Sequence, residues 1–178
     1  KSSLKNLIIK SSLILLILGS LIFSSCRTLP PPASNDDTML IIPMGIEKRG
    51  AADWFGKYRI HVTSNSSGEI VKTHLMPISS GYTLIKGLKP GEYRITRDEF
   101  IYNSNRSPGS HVNRSYYFEL FPGKITVLHK RFVYTFLPNS SGGSVMNRRW
   151  DSFTKKDQEE LLYSFKEYKN YDLWDSEP

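Results

Sequence analysis

The sequence predicts a mainly β domain, an antiparallel β-sandwich with one C-terminal α-helix packed on it. Three observations carry that expectation. Between Met39 and Pro138 short apolar runs alternate with period two, and polar turns divide them about every ten residues. A Leu-x-Pro-Gly turn occurs twice, at Leu88-Lys89-Pro90-Gly91 and at Leu120-Phe121-Pro122-Gly123. After Thr154 the apolar period changes from strand-like to helical.

Taken in order, residues 39–46 form an apolar run interrupted by Pro43, which lacks a ladder N–H and so predicts an edge strand. Residues 58–63 alternate cleanly and put Tyr58, Ile60 and Val62 on one face. Asn65-Ser66-Ser67-Gly68 is a turn, after which residues 69–76 and 82–85 are further strands. Residues 92–102, 115–120, 124–128 and 132–136 complete the set. In each Leu-x-Pro-Gly copy Pro presets φ and Gly supplies the positive φ of a type II turn. Each turn launches a strand whose alternate residues, Tyr93/Ile95 and Ile125/Val127, are expected to point inward. Asn139-Ser140-Ser141-Gly142-Gly143-Ser144 reads as a flexible joint. Thr154, with Asp157 three residues on, caps a helix expected over residues 155–169. Leu161, Leu162, Phe165 and Tyr168 share its apolar face, and Asn170 suits the left-handed turn that ends it. Trp150, Phe153 and Trp174 flank the helix, and the expectation is that they fold it back over the sandwich.

Ahead of the domain stands a different kind of segment. Lys1, Lys5 and Lys10 are basic, no acidic residue precedes Asp36, and residues 13–23 are an apolar run of 11 residues. That length suits the h-region of an export signal and falls short of the roughly 20 residues a spanning helix needs. Ile22-Phe23-Ser24-Ser25-Cys26 then places small residues before the single cysteine of the chain. This resembles the lipobox of bacterial lipoproteins, with Phe23 where the family usually has Leu. The resemblance implies a diacylglyceryl group on the Cys26 thiol, a cut before Cys26, and a membrane partner reached through that lipid. A lone cysteine in an exported chain forms no internal disulfide, which agrees with a modified thiol. Arg27 follows the cysteine, and the lipoprotein sorting scheme then implies the outer membrane or periplasmic face rather than retention at the inner membrane. The expected organisation is a leader over 1–25, a lipidated Cys26 with a Pro-rich tether over 26–38, the sandwich over 39–138, and joint plus helix over 139–178. The tether, Arg-Thr-Leu-Pro-Pro-Pro and on to Thr38, would reach roughly 40 Å if extended.

A second resemblance lies in the turns. Leu88, Pro90, Gly91 and Tyr93, followed by Pro122 and Gly123, are similar to the prealbumin-like sandwich of carboxypeptidase-regulatory-like modules over about residues 58–136. It implies an Ig-like or prealbumin-like topology and a non-catalytic role as spacer, stabiliser or binding platform.

Composition sets further bounds. Removing residues 1–25 leaves 153 residues, one domain with a proper core, and the net charge falls from +7 to +4 with the three leader lysines. That balance tolerates anionic headgroups or envelope polymers, while no nucleic-acid motif is present. The first choice for a recognition loop lies in residues 102–116, where Arg106, His111 and Arg114 can meet an anion and Tyr102 and Tyr116 stand at the base. A solvated hairpin is the plain alternative for that stretch. His61 and His74 sit on adjacent predicted strands without metal-ligand spacing, and solvent-facing strand histidines are expected. Asp98 and Glu99 point to opposite sides of one strand and so cannot flank one glycosidic bond. No nucleophile elbow or phosphate loop occurs, so neither catalysis nor a cofactor is expected. The expected role is a membrane-anchored, non-enzymatic interaction or structural module with an envelope protein or polymer partner. The alternative is a glycan or small-ligand binder using the 102–116 loop.

Overall fold

A computed structural model describes residues 27–48, 57–77, 81–102, 105–106, 110–138, 140 and 144–174. The leader, Cys26 and most of the predicted joint lie outside these residues. Among them the chain is mainly β, with two sheets and one α-helix. The first sheet holds β1 (Met39–Lys48), β4 (Gly81–Lys86), β8 (Ile125–Val127), β9 (Lys130–Pro138) and β10 (Ser144–Ser152). Its order is β10-β9-β1-β4, with β8 also beside β1. The second holds β2 (Lys57–Ser64), β3 (Ile70–Pro77), β5 (Gly91–Tyr102), β6 (Asn105–Arg106) and β7 (Ser110–Leu120). Here β3, β2 and β5 run in order, and β6 and β7 both pair with β5.

The sheets share one apolar core, which makes the domain sandwich-like. Leu40, Ile42 and Met44 of β1 and Phe132, Tyr134 and Phe136 of β9 meet Tyr58, Ile60 and Val62 of β2 and Tyr93 and Ile95 of β5. The predicted alternation of β2 is therefore the alternation of its buried face. Tyr58, Phe132 and Tyr134 pack edge to face or tilted, with ring centroids 4.9–5.5 Å apart.

Pro43 does not mark an edge. β1 lies inside the first sheet, between β4 on one side and β8 and β9 on the other. Its parallel partners change along its length: Ile41 pairs with Val127 at the end of β8, and Met44 pairs with Phe132 at the start of β9. Pro43 falls in the handover between them, where that ladder is interrupted and a missing N–H costs least. The two Leu-x-Pro-Gly copies are not equivalent either. Gly123 has the expected φ of +69°, whereas Gly91 has +144° and already begins β5. Tyr93 and Ile95 enter the inter-sheet core, but Ile125 and Val127 belong to a separate cluster on the other face of the first sheet.

That second cluster is built by the helix. α1 (Lys155–Ser164) starts at Thr154, whose hydroxyl accepts from the Asp157 N–H while the Asp157 carboxylate accepts from Thr154 N–H. These bonds to Thr154 hold the exposed Asp157 carboxyl below its ordinary pKa. Leu162 and Phe165 are buried against Met39, Ile41, Ile125 and Val127. The helix is thus docked, as expected, over the face of the first sheet that looks away from the second. It is shorter than predicted, and Asn170, with φ +68°, turns the chain into a 3-10 turn over Tyr171–Leu173 rather than ending α1. Trp150 departs from the expected helix flank: its ring lies 4.7 Å from Phe132 and packs on the inter-sheet core.

Residues 27–38 do not form a free spacer. Leu29 is 1% exposed in the helix-side cluster. Lys169 donates its N–H to the Arg27 carbonyl and accepts from the Leu29 N–H, both at 3.0 Å. The Asn170 amide and the Trp174 indole donate to the carbonyls of Leu29 and Pro30, each at 2.9 Å. Asp37 accepts from the N–H groups of Ala33 and Thr38, and Thr38 donates to the Leu88 carbonyl. The segment is thus a strap, fastened to the domain at both ends, at Arg27–Pro30 and at Asp37–Thr38.

β10 stands where the sequence predicts only a joint and the approach to the helix. It pairs with β9 from Ser144↔Pro138 to Ser152↔Lys130.

His74, on the inner face of β3, bonds Thr83 of β4 at 2.9 Å and ties the sheets at one edge. Burial, then the Lys72 charge, lowers its pKa below the ordinary 6.5. The unfolded chain therefore binds a proton more readily than the folded one. Its contribution is complete above pH 6.5 and is lost as pH falls through the depressed folded pKa. Urea unfolding at falling pH is expected to show declining stability from that point, with a shallower decline in His74→Gln. Equal slopes in the two proteins would refute this.

Candidate functional site

One sheet face is covered and the other is not. α1 and the strap occupy the outer face of the first sheet, while no described element lies over the outer face of the second. Cross-strand register builds that bare face in rows. Ile70, Thr63, Arg94 and Tyr117 form one, Thr73, His61, Arg97 and His111 the next, and Leu75, Arg59 and Glu99 a third. A bulge between His61 and Val62, opposite Arg97 and Ile95, sets the rows past Thr96 in register.

Glu99 is the centre of the face. Its carboxylate lies 2.9 Å from Arg97, 3.6 Å from Arg59 and 3.5 Å from His61 Nε2, with a side chain only 8% exposed. His61 Nδ1 also meets the Thr73 hydroxyl at 3.3 Å. His61 is therefore a half-buried member of a charged cluster, not the solvent-facing histidine expected. His61 and His74 lie on opposite faces, since His61 pairs with Thr73 and His74 with Ile60. The cluster is incompletely satisfied: Glu99 Oε2, His61 Nε2 and Arg97 Nε are buried without a hydrogen-bond partner. Buried polar atoms of this kind call for water or a ligand group. Around them Ile70, Leu75 and Tyr117 are 55%, 47% and 54% exposed. Arginine and tyrosine are among the residue types enriched at protein interfaces.

The register places the backbone of the residues singled out in the sequence. Tyr102 pairs with Asn105 and Arg106 with Ile101 in the β5–β6 ladder. His111 is brought opposite Arg97, next to the Glu99 cluster, and Arg114 lies between His111 and Tyr116 in β7. Residues 103–104 and 107–109, and the side chains of Tyr102, Arg106, His111 and Arg114, lie outside the described residues. Tyr116 is used by the core, its ring 5.0 Å from Trp150. Alternation about Tyr58, Ile60 and Val62 places Arg59 and His61 outward, but alternation from Tyr93 and Ile95 alone would point Arg97 and Glu99 inward; the extra residue at Thr96 reverses it, and nothing local reveals that the four converge.

Asp98 and Glu99 separate as expected. Asp98 faces inward and takes a bidentate bond from Arg148 of β10, so it joins the two sheets. The Arg148 guanidinium lies 5.3 Å from the Tyr58 ring centroid. Burial opposes its charge, but the Asp98 carboxylate outweighs burial and raises its pKa. Burial raises the pKa of Tyr58 and of Tyr134. Among the described residues no three His, Cys, Asp or Glu side chains converge as a metal site would require.

A smaller cleft of about 280 Å³ lies between β8 and α1, with Ile125, Val127 and Leu162 as its apolar floor and Phe121, Lys124 and Gln158 at its rim. Its Gln158 amide donates to the Phe153 carbonyl and its Thr126 hydroxyl to the Glu119 carbonyl, so its polar rim is in large part committed to the fold.

No family model, curated protein or solved structure matches the chain.

Proposed function

We propose that the protein is a lipoprotein of the cell envelope, anchored through Cys26, that works as a non-enzymatic interaction module. The observation that carries this reading is the basic and apolar leader ending at Cys26, directly before the strap. The bare outer face of the second sheet supports the second half of it: an arginine-rich platform with exposed Tyr117 and Leu75 suits a protein or polymer with acidic groups. Among the described residues no helix is long and apolar enough to cross a membrane, so the anchor in this reading is the lipid. We take the domain as a prealbumin-like sandwich of the carboxypeptidase-regulatory type, with its platform as the binding surface.

Expression of the full chain in a bacterial host tests the anchor. The mature protein is expected to begin at Cys26 with the mass of a diacylglyceryl group and to enter the detergent phase on partitioning. Cys26→Ser is expected to abolish both. Unchanged partitioning of that variant would end the reading.

A further inference from the structure

The strap removes the spacer that the sequence promised. Twelve extended residues span roughly 40 Å, yet the chain is already fastened to the domain at Arg27. Consecutive Cα atoms are about 3.8 Å apart, so Cys26 lies one residue from a backbone bonded to Lys169. We propose that the domain rests directly on an anionic bilayer, with the end carrying Arg27, Tyr168 and Lys169 against the headgroups and the bare face of the second sheet turned elsewhere. This rests on acylation of Cys26.

Geometry supports the assignment from two sides. Arg27 and Lys169 are held side by side by the strap, both side chains exposed. The Arg27 guanidinium also reaches the Tyr168 hydroxyl at 3.3 Å and lies 5.7 Å from that ring centroid. Glu167 and Asp172 are the exposed acids nearest in sequence, against the exposed cations Arg27, Lys166 and Lys169. A pair of cations and a tyrosine at the point where the acyl chains leave the protein is a headgroup-level arrangement: the charges meet phosphate and the amphipathic ring suits the interface. The Glu99 platform belongs to the second sheet, whereas the strap lies on the helix side of the first. A seated domain therefore keeps its platform away from the lipid, where a soluble partner reaches it.

Photocrosslinking of the lipidated full chain in vesicles of phosphatidylethanolamine and phosphatidylglycerol tests this. Benzoylphenylalanine replaces Lys169 in one protein and Tyr117 in the other; Lys169 serves the strap through its backbone, so the probe leaves the strap intact. Phospholipid adducts are expected at 169 and not at 117. A Gly-Ser spacer of about twelve residues placed between Cys26 and Arg27, spanning about 20 Å on average, is expected to abolish the adducts at 169 while detergent partitioning persists. Equal adducts at both probes, none at 169, or adducts indifferent to the spacer would overturn the seated domain while leaving the anchor standing. Absence of the diacylglyceryl mass on Cys26 would overturn the anchor itself, and the seating with it.

Discussion

Asp98→Ala is expected to destabilise the fold by about 3 kcal/mol, the lower end of what losing one partner of a buried ion pair costs. The lower end applies because the Asp98 side chain is 3% exposed while that of Arg148 is 28% exposed and keeps some water. The substitution leaves a guanidinium between two sheets with no carboxylate to meet it. Tyr58, whose ring lies under that guanidinium, loses a cation whose position the carboxylate set. A melting temperature lower by about 10 °C is the corresponding readout for a domain of this size. Pairing Asp98→Leu with Arg148→Met is expected to recover most of the loss, because an apolar pair of similar volume avoids the desolvation of both charges. A single Asp98→Ala variant within about 0.5 kcal/mol of the parent would show that the latch between sheets contributes nothing.

Phe165→Ala is expected to act in a different place. The ring is fully buried in the helix-side cluster with Leu162 and Trp174, 4.6 Å from Tyr82 and 4.9 Å from Tyr168. Removing it costs about 3–5 kcal/mol by lost burial and the cavity left behind. The helix-side cluster and the inter-sheet core have no residue in common. The loss therefore falls on α1, the 3-10 turn and the strap together, which share that cluster. Trypsin is expected to cut at Arg27 and Lys169 in the variant under conditions where the parent is resistant there. Hydrogen exchange is expected to rise over 27–32 and 155–174 while Ile60 and Val62 remain protected. An unchanged cleavage pattern would mean that the strap is held without the helix.

Residues whose partners lie close in sequence were legible. The Thr154–Asp157 box is a contact within four residues, the turn at Gly68 needs only its own φ, and the face Leu161, Leu162, Phe165, Tyr168 is one helical stripe. What escaped depends on partners far along the chain. β10 was missed because Asn147, Arg148 and Arg149 are polar on both sides of the strand. Arg148 faces inward only because Asp98, fifty residues earlier, receives it. Arg149 faces outward to Glu47, Thr135 and Asp151. Those partners raise the Arg149 pKa, so even the exposed member of the pair is specified by distant groups. Leu29 is the one tether residue apolar enough to pack on the domain, but its prolines and small polar neighbours do not say where, and its burial needs Lys169 and Trp174 from the other end of the domain. The Glu99 cluster depends on distant partners in the same way: Arg97 and Glu99 face outward only because the extra residue at Thr96 reverses the alternation that Tyr93 and Ile95 begin, and the alignment of β2 with β5 cannot be read from either strand alone.

The bond between Arg27 and Lys169 also governs the order in which the chain can be completed. β1 pairs early with β4 but completes its ladder only with β8 and β9, and the strap closes only when Lys169 is in place. Such sequence-distant closure slows folding. The strap therefore closes last, after the second sheet, whose hairpins pair from neighbouring segments.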